Sequence, residues 1–406
     1  MKNRKLAAVL IILAIVLLLC FSCGTERPVP PAASPEITAA PEPVPTPAQK
    51  SEEELISEAA EALLASMTPE ERLYQLFVVL PDELPGVSDV TVSDESVRAA
   101  IEKCPVGGII YSSPSLISRQ QTADMISGIQ SYSRLGLFIT LDEEGGSVAR
   151  LGNNPDMGTT AFPAMTEIGD TGDTQNAYNV GLTVGREIKE LGFNLDFAPV
   201  ADVNSNPQNT VIGSRAFGTE PDTVAAMVRA CVEGFSDSGA LCTLKHFPGH
   251  GDTYADSHYG EAEIKKTLAE LYECELIPFR AGIDAGADLV MIGHISLPNA
   301  TDDGLPATLS HEIVTELLRD ELGFEGIVIT DAMGMKAISD RFSSGEAAVM
   351  AIKAGCDMIL SPEDLTDAVS GLSDALSSGG ISQSRIDESV LRILKLKLQS
   401  GIIEMP

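Results

Sequence analysis

The chain has 406 residues and carries 59 acidic side chains against 27 Lys and Arg, a formal net charge of −32. A field of that sign excludes nucleic acid and anionic headgroups as charge-driven partners, and it bears on solubility rather than chemistry. The five cysteines beyond position 23 are scattered and odd in number, so they outline no disulfide framework.

Lys2, Arg4 and Lys5 precede an apolar stretch from Leu6 to Leu19, which has the build of a secretory signal rather than a membrane span. Cys23, between Ser22 and Gly24, has the setting of a lipoprotein cleavage and acylation site. Cys20 is the poorer alternative, because the large Leu19 precedes it. Residues 1–22 therefore read as a lipoprotein signal peptide, and the chain as exported and lipid-anchored to the outer face of the cell membrane; an uncleaved amphiphilic anchor is the other reading. Residues 23–50, dominated by Pro, Ala, Glu and Thr, favour extended conformations and form a disordered spacer. Residues 51–406, with regular apolar runs and no second linker, form one large domain.

Within that domain, β-type runs alternate with amphipathic stretches. The runs are Leu76–Leu80, Gly108–Tyr111, Leu137–Leu141, Asn194–Ala198, Leu241–Lys245, Leu289–Gly293, Gly326–Thr330 and Asp357–Leu360. Helical periodicity marks Arg119–Arg134, Thr174–Leu191, Thr223–Ser238, Ile264–Ala285, Glu312–Leu322, Gly345–Ala354 and a last helix over about Ser382–Ser400. Repeated strand-then-helix units require parallel pairing with crossover helices, and eight of them predict a single (β/α)8 TIM barrel of the α/β class. An open doubly wound sheet is disfavoured, since no glycine-rich phosphate fingerprint follows the first strand.

A barrel assembles its active site just after the carboxyl ends of its strands. Those positions hold Asp142 followed by Glu143-Glu144-Gly145-Gly146, Asp202 beyond Pro199, Lys245-His246, His294 and Asp331. The densest segment is Lys245-His246-Phe247-Pro248-Gly249-His250-Gly251-Asp252, with Asp256-Ser257-His258 close behind. Asp331 ends an apolar strand and is a candidate nucleophile for an anomeric carbon; a helix N-cap is the plain alternative. Residues two apart in extended chain project to one side, so Asp256 can orient the His258 imidazole and keep an acid available near neutral pH. Gly249 and Gly251 are expected to let this loop move over a bound sugar. A zinc-dependent hydrolase using His246, His250, Asp252 and His258 is a second reading. It is weakened because Pro248 and Gly249 forbid the helical spacing that would join His246 to His250. A sugar-binding lipoprotein without turnover is a third.

The Lys245–Asp252 segment, Asp256-Ser257-His258 and the Thr330-Asp331 strand end together resemble the signatures of glycoside hydrolase family 3, in its NagZ-type β-N-acetylglucosaminidase branch. The resemblance spans about Thr68 to Gly401. It implies a retaining exo-β-N-acetylglucosaminidase that releases terminal N-acetylglucosamine from peptidoglycan fragments, with neither metal nor organic cofactor. It makes Asp331 the nucleophile, His258 the acid/base and Asp256 its partner, whereas the family's β-glucosidases take their acid from a carboxylate in another domain. Asp142, Arg150, Arg215, Lys245, His246 and His294 are the sugar-holding groups it implies, with a carbohydrate of the cell wall as partner. The histidine acid/base leaves both water and phosphate open as acceptor.

Overall fold

The computed structural model describes residues 50–253 and 262–405, which fall in one compact unit beginning at Lys50. The signal, the acylation site at Cys23 and the Asp256/His258 pair lie outside the described residues.

Eight short strands close a barrel: β1 Phe77–Val79, β2 Gly108–Ile110, β3 Phe138–Leu141, β4 Leu195–Asp196, β5 Leu241–Phe247, β6 Leu289–Ile292, β7 Ile327–Ala332 and β8 Met358–Leu360. Each pairs in parallel with its neighbours in chain order, and β8 returns to β1 with Phe77 opposite Ile359 and Val78 opposite Leu360. The runs are apolar without alternation because helices cover the barrel outside and side chains fill it inside. Every residue of β1, β3, β5, β6 and β8 is buried. All eight strand positions predicted from the sequence are occupied, and β5 runs two residues further than expected, to Phe247.

The outer helices agree less closely. Glu52–Ser66, Glu95–Lys103 and Leu365–Ser377 join those predicted. The stretch 264–285 is not one helix but two, Leu268–Glu273 and Leu276–Asp284. Glu312–Glu321 winds as a π-helix, and the chain leaves it with the Leu322 N–H donating to the Leu317 carbonyl, five residues back.

The floor of the barrel is tied by charge. Asp357, just before β8, is fully buried and accepts from Val328 N (3.0 Å), Ser389 Oγ (2.7 Å), Arg392 Nη1 (3.0 Å) and Arg319 Nη2. Arg385 stands 3.9 Å away. Nearby, the buried Lys397 donates to Gln75 Oε1 (2.9 Å) and the Gly136 carbonyl (2.8 Å), with the Phe138 ring 5.1 Å off. These contacts join the last helix, Gln383–Gln399, to the segments that enter β1, β3, β7 and β8.

Candidate active site

The mouth of the barrel opposes that floor. Beyond β3 the chain forms a tight antiparallel ribbon, Glu143–Gly145 with Val148–Ala149. Alternation along it separates the acidic run. Glu143 turns away and accepts Leu151 N (2.7 Å) and Gly152 N (2.8 Å), while Asp142 and Glu144 face a cavity of about 640 Å³. Asp142, Arg150, Arg215, Lys245, His246 and Asp331, six of the residues singled out from the sequence, all line this one cavity.

One wall is an ion-pair network. The buried Lys245 places its ammonium 2.7 Å from Asp142 Oδ1 and 2.6 Å from Glu144 Oε1. Arg215, from the turn Gly213–Arg215, grips Glu144 with both Nε (2.8 Å) and Nη2 (2.7 Å). Arg150 holds Asp142 Oδ2 at 3.0 Å, and its Nε is buried without a protein partner. Burial alone would push the Glu144 carboxyl up, but Lys245 and Arg215 outweigh it and hold it at about 2. Burial likewise works against the Lys245 ammonium, and Asp142 and Glu144 overcome it, so the lysine stays charged. Glu144, which the sequence places at the strand end without assigning it a role, is a site residue; the signal was its two-residue offset from Asp142.

Asp331 sits across the cavity at the end of β7, its Oδ1 accepting the Ala332 N–H at 2.7 Å. Burial opposes its ionisation, yet His246, His294, that N–H and Lys245 together hold its carboxyl below the usual range. The result is an ionised carboxylate with one face to the cavity.

His246 is set by Asp202, a fully buried residue beyond β4, which accepts His246 Nδ1 at 2.8 Å and also His246 N (3.2 Å) and His250 N (2.6 Å). The His246 and His250 rings meet edge to face with centroids 5.9 Å apart. Pro248 and Gly249 keep the segment out of a helix, as the sequence indicates, and a turn closed by Gly249 N to the His246 carbonyl (2.8 Å) brings the two rings together instead. His250 Nδ1 in turn meets Thr253 Oγ1 at 2.8 Å. Among the described residues, no group of three or more His, Cys, Asp or Glu is placed to hold a metal ion.

One further expectation changes. His294 is not among the cavity-lining residues; its Nε2 donates to the Ala332 carbonyl (2.9 Å) and its Nδ1 meets Thr308 Oγ1 (2.7 Å). Both ring nitrogens are thus engaged with protein, and the histidine staples the end of β6 to the end of β7. Gly251 serves close approach, since a Cβ there would lie 1.7 Å from the Val203 carbonyl oxygen. Gly249 has φ of +124° with Glu275 packed behind it.

The family model of the glycosyl hydrolase family 3 N terminal domain matches residues 68–396. Over 343 residues the chain is 36% identical to the β-hexosaminidase LpqI of Mycobacterium tuberculosis, covering 82% of this chain and 84% of that protein. It is 34% identical to β-hexosaminidase A of Pseudoalteromonas piscicida, covering 76% of this chain but only 56% of that longer protein. Among solved structures, a family 3 β-N-acetylglucosaminidase from Paenibacillus superposes with a TM-score of 0.78 at 38% identity, covering 83% of this chain and 63% of that one.

Proposed function

Because the chain belongs to glycosyl hydrolase family 3, we propose that the cavity is the glycosyl subsite of a retaining exo-β-N-acetylglucosaminidase. Its substrate in this reading is terminal N-acetylglucosamine on peptidoglycan fragments. The observation that carries the reading is the ionised Asp331 facing a wall of hydroxyl-binding groups, Asp142, Arg150 and Lys245, across one cavity. A pyranose between them has its anomeric carbon at Asp331 and its far hydroxyls on the wall of Asp142, Arg150 and Lys245.

In the first step an Asp331 oxygen bonds to the anomeric carbon as the glycosidic C–O bond breaks, and His258 hands its proton to the departing oxygen. In the second, His258 takes a proton from water, the hydroxide oxygen bonds to the anomeric carbon, and the Asp331 ester is released. Asp256 holds the imidazole in one tautomer through both steps. Asp202 fixes His246 through Nδ1, so the other face of that ring serves the sugar or the nucleophile. The basic leader and Cys23 support an exported, lipid-anchored setting in which cell-wall fragments are the available substrate.

Trapping with a fluorinated N-acetylglucosamine analogue, followed by peptide mapping, tests this reading. The expected result is one glycosyl ester on Asp331; an ester on any other residue, or none, overturns it.

A further inference from the structure

The cations facing the cavity are not equivalent. Arg150, Arg215 and Lys245 are each held by Asp142 or Glu144. Lys336 lines the same cavity, is exposed, and enters no ion pair or side-chain hydrogen bond among the described residues. It follows the nucleophile strand by four residues, beyond Met335 at the start of the short helix Lys336–Ser339.

Its place in the barrel gives that ammonium a direction. In a barrel closed in chain order, β3 and β7 stand on opposite sides. The sugar-holding wall follows β3 and the nucleophile ends β7. A pyranose with C1 at Asp331 and its distal hydroxyls at Asp142 therefore sends its aglycone away from β3. That is the β6–β7–β8 side, where Lys336 and Ser361 line the cavity with Glu83 next to Ser361. Glu83 is weakly charged there, because burial pushes its carboxyl up to about 7 while the Leu80 N–H is donated to it at 2.9 Å. The chain as a whole carries −32, so an anionic substrate is repelled at long range and needs a local cation to be accepted.

We propose that Lys336 is a specificity-determining residue that reads a carboxylate on the aglycone, such as the lactyl group of an N-acetylmuramic acid next to the scissile bond. This rests on the glycosidase reading and names the chemistry on the leaving side of the same site. The wall groups already have ion partners and suit a neutral sugar, so charge recognition falls to the lip.

The test uses the full chain with N-acetylglucosaminyl-β-1,4-N-acetylmuramic acid and its lactyl methyl ester at low ionic strength. A neutral aryl N-acetylglucosaminide runs beside them. Wild type is expected to favour the acid over the ester by about three- to five-fold in kcat/KM, the range of an exposed ion pair, with the difference in KM. Lys336→Met brings the ratio to about one, Lys336→Arg restores it, Lys336→Glu inverts it, and high salt collapses it in wild type. An acid-to-ester ratio of one in wild type, or a ratio that Lys336→Met leaves intact, overturns the assignment while the glycosidase reading stands. Equal losses on acid and ester in the Lys336→Met protein also overturn it, by marking a structural role. No turnover of the aryl glycoside by wild type overturns the glycosidase reading itself, and this assignment with it.

Discussion

Mouth and floor of this barrel are built from the same chemistry, carboxylates gripped by arginine and lysine, yet they do opposite work. At the floor, Asp357 gathers Arg319, Arg385, Arg392, Ser389 and a backbone N–H, and its contacts tie the last helix to the barrel. At the mouth, the Asp142–Lys245–Glu144–Arg215 network lines a cavity. The lesson is that an ion pair does not reveal its role by its partners. What distinguishes the two is whether the network is closed by protein or left open to a ligand.

Substitutions at the two ends can break this contrast. Asp331→Asn is expected to lower kcat/KM on an aryl N-acetylglucosaminide on the order of 10⁴-fold while leaving the thermal midpoint nearly unchanged. A loss below tenfold would show that the mouth carboxylate is not the nucleophile. Asp357→Asn should do the reverse. It leaves three arginines facing a neutral amide, a loss of about 3–5 kcal/mol of stability, with the folded fraction still active. Urea melts read that stability, and activity per folded molecule reads the rest; a variant as stable as wild type would remove the structural role assigned to the floor.

At neutral pH the smallest expected effect concerns Lys397, whose ammonium is lowered to about 7 by burial. Its folded-state value lies below its unfolded one, so between about 7 and 10.5 the unfolded chain binds more protons. Its contribution to stability is therefore full above the unfolded value and is lost as pH falls through about 7. Lys397→Met should flatten the rise in stability between these limits. Parallel wild-type and variant profiles would mean that the Gln75 and Gly136 acceptors and the Phe138 ring keep the lysine charged throughout.

The barrel was legible because each strand is a compact apolar run between polar breaks, and the mouth was legible because polar residues closing such runs can point nowhere else. What escaped depended on partners distant in sequence. The stretch 264–285 has one helical pattern but breaks at Cys274, beside a Glu275 whose buried carboxylate is paired with Lys266 and whose side chain packs behind Gly249. His294 stands at a strand end as expected, and only the return of Thr308 turns it from a sugar ligand into a staple. The helices Glu95–Lys103 and Leu365–Ser377 bury three and four residues on one face, a periodic signal the sequence carries as plainly as in the helices expected from it. Glu144 was hidden in a run of three acids, whose division of labour appears only when the ribbon fixes which way each one faces.

The double grip on Glu144 constrains how this site can change over generations. Lys245, from a strand, and Arg215, from a distant turn, share this carboxylate, and Arg215 pairs with no other carboxylate among the described residues while Lys245 also pairs with Asp142. Loss of Glu144 strands the Arg215 guanidinium, so a single mutational step at that carboxylate passes through a damaged protein. Lys336 has no such dependants. Variation in substrate range should accumulate at the rim, and a directed-evolution campaign for new leaving groups should find its first improved variants at or around position 336 while the wall stays fixed.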